Sequence, residues 1–113
     1  MKTQIIRQGD VVILELKGKL TIGKGDVMLR KHIDDLLKNN ERKIILNMKD
    51  ISYMDSSGVG ELVSSYTSVS NRGGKLKLLN LSTKVHDLLQ ITQLLRVFDI
   101  FDNETEAVAS FAS

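Results

Sequence analysis

Lys43-Ile44-Ile45-Leu46-Asn47-Met48 constrains the fold more than any other stretch of this 113-residue chain. The run is almost continuously apolar and does not alternate with polar positions. A strand with one wet face alternates, so a run of this kind marks a central strand covered on both sides. Such cover comes from crossover helices packed on a largely parallel sheet.

The flanking sequence supplies those elements. Residues 3–7 read as a short strand, and Val11-Val12-Ile13-Leu14-Glu15-Leu16-Lys17 as a stronger one, rich in β-branched positions. Gly9-Asp10 between them predicts a hairpin turn, which makes the sheet mixed. From Gly18 to Gly25 the chain is expected to leave the sheet as a glycine-punctuated loop. Residues 26–38 form a helix with Leu29, Ile33, Leu36 and Leu37 on one face, ended by Asn39-Asn40. After the central run, Ile51-Ser52-Tyr53-Met54 leads into a second helix, whose apolar stripe is Val59, Leu62, Val63, Tyr66 and Val69. Gly73-Gly74 stops that helix.

Residues 75–79 form the next strand, and residues 83–90 a short helix with Val85, Leu88 and Leu89 inward. Residues 97–100 form a last strand, and Asn103 caps a terminal helix carrying Ala107, Val108 and Phe111. The expectation is one α/β domain over residues 1–113, with a mixed, mostly parallel sheet of four to five strands packed against about four helices.

Composition narrows the function. Apolar residues make up 42% and charged residues 27%, enough for one unstapled core. With no cysteine, neither a disulfide framework nor a thiolate metal site is possible. The N-terminus lacks the apolar run of a signal peptide, and no stretch approaches the ~18 apolar residues of a membrane span. A cytoplasmic protein without membrane insertion is expected. The net charge of +2 comes from interspersed charges, and aromatics are only 4%. No footprint for nucleic acid is present.

The segment Asp55-Ser56-Ser57-Gly58 opens the second helix. Asp or Ser there accepts hydrogen bonds from the free backbone donors of the first turn, so helix capping alone explains part of it. Gly58 and Gly60 also sit in that turn, where each costs up to ~1 kcal/mol against alanine. Glycines of this kind let another surface approach the backbone. The side of the helix away from its stripe carries Gly60, Glu61, Ser64, Ser65, Thr67, Ser68 and Asn71, with Glu61 as the single charge between Ser57 and Asn71. A small, charge-poor face is easily desolvated and suits docking. A phosphate on Ser56 would add about −1.5 to −2 charges. The helix N-terminus compensates such an anion in part, and Asp55 opposes it. The fold should survive, while a partner covering the site should be lost.

These residues closely resemble the STAS domains of bacterial anti-sigma factor antagonists. The likeness covers essentially the whole chain. It is carried by the strand at 11–17 with Gly18-Lys19-Leu20, by Ile44-Ile45-Leu46-Asn47, by Met54-Asp55-Ser56-Ser57-Gly58-Val59-Gly60, and by Gly73-Gly74-Lys75-Leu76-Lys77-Leu78. The resemblance implies a partner-switching cycle. The unmodified antagonist binds an anti-sigma factor that is also a serine kinase of the histidine-kinase-like ATPase fold, and so frees the sigma factor. The kinase phosphorylates the first serine of the motif, here Ser56, and the antagonist lets go. A metal-dependent serine phosphatase resets it. Asp55, Ser57 and Gly58 match the surrounding contact surface; Gly60, Glu61 and Ser64 of the charge-poor helix face, and Thr21 and Gly23 in the neighbouring loop, are expected to join them in partner binding. No cofactor is implied. Many such antagonists carry an acidic residue after the Gly-x-Leu that leaves the second strand; here Thr21 stands in that place. This departure bears on kinase choice and nucleotide contact. It leaves the partner open between an anti-sigma factor and another regulator, including a membrane transport system that a constitutive STAS scaffold would serve.

Other motifs are weaker. Gly23-Lys24-Gly25 lacks the remaining glycines and the Lys-Ser/Thr of a phosphate-binding loop and reads as a plain loop. His32 and His86 have no metal-ligand spacing. A Ser56–His86–Asp87 hydrolase fails because adjacent His and Asp do not orient one another as a triad requires. No Gly-x-Ser-x-Gly elbow is present either. The chain is read as a binding module, not an enzyme.

Overall fold

A computed structural model describes residues 1–112. The five-stranded sheet follows chain order. β1 (Lys2–Gln8) pairs antiparallel with β2 (Val11–Leu20). β3 (Lys43–Met54), β4 (Lys75–Leu79) and β5 (Asp99–Phe101) follow in parallel. Gly9, at φ 61°, makes the tight turn between β1 and β2.

The apolar run of β3 is covered on both sides, as its pattern demands. Ile44, Leu46 and Met48 join the larger core, together with α1 (Gly25–Lys38), α2 (Ser56–Asn71) and α3 (Thr83–Ile91). Ile45 points the other way, into a smaller core with Val11, Ile13 and Leu79. That face is closed by Ala107 of α4 (Glu104–Ala109) and by Phe111 beyond it. Beneath this cover lies Lys77, 4% exposed. Its Nζ donates to Ser110 Oγ at 2.8 Å and stands 4.4 Å from the Phe111 ring centre.

The chain has no proline, and α1, α2 and α3 end by one device. The residue after each C-cap turns left-handed: Asn40 at φ 62°, Gly73 at 78° and Gln93 at 61°. The next amide then reaches back to the third-last helical carbonyl, Glu41 to Leu36, Gly74 to Val69 and Leu94 to Leu89. This is the Schellman arrangement. Asn103 Oδ1 caps α4 by accepting from the Glu106 amide at 2.9 Å.

Three strand expectations need correction. β2 does not leave the sheet at Gly18 but runs to Leu20. β3 does not stop near Met48 but continues to Met54. The last strand begins at Asp99, because residues 95–97 form a 3-10 turn and Phe98 drops into the core. The longer β2–β3 pairing rests on two register shifts. Between Glu15↔Asn47 and Lys17↔Asp50, and again between Gly18↔Ile51 and Lys19↔Tyr53, β3 carries one extra residue. Each bulge breaks the period of two. Ile51 and Met54 are thereby both buried, three residues apart.

Candidate phosphorylation and docking site

The extended β2–β3 pairing positions the site. Leu20 and Met54 are register partners, so the loop 21–24 and Asp55 leave the sheet side by side. Asp55 has extended backbone, φ −99° and ψ −175°, and is the N-cap of α2. Its Oδ1 accepts from the Gly58 amide at 2.8 Å. Its Oδ2 accepts from the Ile22 amide at 3.0 Å. One carboxylate therefore caps the helix and pins the opposite loop. The Ile22 amide first, then that of Gly58, holds the Asp55 carboxyl below the usual aspartate range.

Because Asp55 is the cap, neither serine is needed for it. Ser56 is the first helical residue; it is exposed, and its hydroxyl makes no hydrogen bond to any described residue. Ser57 follows, half-buried. Gly60 is exposed, with nothing within 4 Å of where a Cβ would stand. Gly23, at φ 89°, is equally open at the loop tip. Thr21 is half-buried, and its carbonyl accepts from the Asp26 amide at 3.1 Å. Ser64 is half-buried on the side of α2.

Three residues expected on the docking face belong to the interior instead. Gly58 does admit a close approach, but the approaching surface is the chain's own: a Cβ there would overlap the Leu20 carbonyl oxygen and stand 2.7 Å from Met54 Cγ. The Glu61 side chain is only 10% exposed. Its Oε1 accepts from Arg30 Nε of α1 at 3.1 Å, and its Oε2 accepts from the Ser65 hydroxyl at 3.3 Å. Ser65 is itself 1% exposed. This network clamps α1 against α2.

Other residues escaped sequence reading. Among the described residues the exposed large hydrophobics are Ile5, Ile22, Val27, Tyr53 and Ile91. Ile22 and Tyr53 flank Asp55, and Val27 lies in the first turn of α1, next to the loop. Ile22 is 71% exposed, and its position beside Gly23 was the available signal. His86 stands 3.6 Å from Asp87 of its own helix and lines a cavity with Leu81, Ile100, Phe101 and Asp102. His32 Nε2 lies 2.9 Å from Thr3 Oγ1.

The model of the STAS domain family matches residues 2–107. An anti-sigma F factor antagonist from Paenibacillus polymyxa is 31% identical over 99 residues, 87% of this chain and 84% of that protein. The chain belongs to the STAS-domain family of anti-sigma factor antagonists. Its fold is that of the family's solved structures. A candidate anti-sigma factor antagonist from Thermotoga maritima superposes with a TM-score of 0.90 at 29% identity, over 98% of this chain and 95% of that one. The phosphorylated form of the Bacillus cell fate determinant SpoIIAA superposes at 0.75 with 25% identity, over 97% of this STAS chain and 99% of that one. No helix among the described residues is long and apolar enough to cross a membrane.

Proposed function

We propose that this STAS domain is the antagonist of a partner-switching pathway, with Ser56 as its covalent switch. Unmodified, it binds an anti-sigma factor that is also a serine kinase of the histidine-kinase-like ATPase fold, and the sigma factor is released. The kinase transfers the γ-phosphoryl group of ATP to Ser56 Oγ, with ADP leaving and the hydroxyl proton passing to a base of the kinase. A serine phosphatase reverses the modification. The chain itself supplies no catalysis, and the cycle belongs to the cytoplasm.

The observation that carries this reading is the free Ser56 hydroxyl beside a carboxylate whose two oxygens already hold backbone amides. Ser56 is thus open to a kinase and dispensable to the cap. A phosphate there meets the positive end of α2, so the fold tolerates it. A docked partner would instead have to bury a dianion next to Asp55, which is costly without a matching cation.

The test is phosphorylation by a purified switch kinase with ATP, mapped by mass spectrometry. Modification at Ser56, abolished by Ser56→Ala, is expected. Modification at Ser57 or Ser64 would overturn the site. Ser56→Asp should weaken kinase binding with the far-UV circular dichroism unchanged. Stable binding to a transporter subunit, indifferent to Ser56→Asp, would replace this reading with that of a constitutive scaffold.

A further inference from the structure

We infer that the docking surface extends from Ser56 into the groove between the end of β3 and α3, and that this groove receives an apolar side chain flanked by carboxylates; the inference rests on the reading of Ser56 above. The groove encloses about 280 Å³ and is lined by Tyr53, Met54, Lys84, Val85 and Leu88. Met54 and Val85 are buried and form its floor, and Leu88 is a half-buried wall. Tyr53, 51% exposed, and the exposed Lys84 stand at the rim. The exposed Lys19 is the register partner of Tyr53 on β2. Met54 and Tyr53 immediately precede Asp55-Ser56, so the groove adjoins the switch.

Charge selects the occupant. No carboxylate lines the groove. Lys19 and Lys84 have no ion-pair partner among the described residues. Asp55 holds the Ile22 and Gly58 amides and Glu61 holds Arg30, and Asp87, exposed on α3, forms no ion pair with Lys84. A purely apolar anchor would strip water from Lys84 and return nothing. A basic anchor would meet the Lys84 ammonium. An apolar side chain with carboxylates beside it fills the floor and pairs the rim. A phosphate on Ser56 then brings charge of the same sign as those carboxylates, so the same groove favours binding before modification and release after it.

The test is an amide-resolved NMR titration of the full chain with an end-blocked peptide, Glu-Glu-Leu-Leu-Glu-Glu, against its counterpart with lysine for glutamate. The amides of Tyr53, Lys84 and Leu88 should move with the acidic peptide and not with the basic one. Lys84→Glu should weaken the acidic peptide by about fivefold or more. Glutamate in the first turn of α3 suits the helix dipole, so the variant should remain folded. Equal response to both peptides, shifts confined to other surfaces, or no shift at millimolar peptide would overturn the inference. A kinase that ignores Ser56 would instead remove the switch and leave the peptide result standing.

Discussion

The Ile22 amide donates to Asp55 Oδ2 at 3.0 Å, so the residue next to Ser56 also holds the exposed tip of the facing loop. Asp55 is therefore a positioning residue as well as a cap. Asp55→Ala removes both bonds; Asp55→Asn keeps the preferred capping chemistry. Asp55→Ala should lower the melting temperature clearly more than Asp55→Asn or Ser56→Ala. Loss of the Ile22 tether should appear as faster amide exchange at Ile22 and Gly23. Equal melting temperatures for Asp55→Ala and Ser56→Ala would refute the assignment of the cap.

The same carboxylate has a pH signature. Its pKa is lowered in the fold from the ordinary 3.8, so its contribution is fully present above 3.8. It is lost as pH falls below that value through the folded pKa. Denaturation of wild type and Asp55→Asn between neutral pH and strong acid should show the wild-type advantage shrinking only in that acid window. A constant difference would contradict the two amide bonds.

Glycines two positions apart should respond oppositely. A Cβ at Gly58 meets the Leu20 carbonyl and Met54 at once, whereas one at Gly60 meets nothing. Gly58→Ala should cost about 1–3 kcal/mol through overpacking. Gly60→Ala should add about 0.5–1 kcal/mol by helix propensity. Urea midpoints at unchanged slope separate the two. The Gly60 variant also reports on docking, since any loss of partner binding comes from a better-folded chain.

Glu61 is predicted to act in stability and not in recognition. Glu61→Ala strands the buried Ser65 hydroxyl and leaves Arg30 unpaired, and should cost about 1–2 kcal/mol. Arg30→Ala, at a half-exposed partner, should cost no more than about 1 kcal/mol. A double-mutant cycle in urea should give a clear coupling between them.

Burial pushes the Lys77 ammonium below its ordinary 10.5, with Asp99 opposing. Below the folded pKa the buried charge is carried at a cost, and that cost is relieved as pH rises toward 10.5. Wild type should gain stability over this alkaline window relative to Lys77→Met, which fills the same space without titrating. Identical alkaline profiles would show that Lys77 stays charged or solvated.

Much of this protein follows from local sequence. The run 43–48 required cover on both faces, the spacing of Leu29, Ile33, Leu36 and Leu37 required α1, and Asp55-Ser56-Ser57-Gly58 required a helix start. Each rests on near-neighbour geometry: the pleat, the helical turn, the free amides of a first turn. Family membership was legible for the same reason, since its motifs are contiguous.

The roles within the site needed the tertiary structure. Whether Gly58 faces a partner or Leu20 depends on how far β2 extends, and β2 extends because two bulges carry β3 with it. Bulges erase the alternation by which strands are recognised, so the pairing of Leu20 with Met54 left no trace in the pattern. Glu61 looked like a lone surface charge until Arg30, thirty-one residues away in sequence, proved to be its partner. Ile22 became a contact candidate only when its amide was found on Asp55. Sequence spacing determined which faces of the elements are apolar; the packing of distant segments decided which polar groups were already paired and which, like Ser56, were left free.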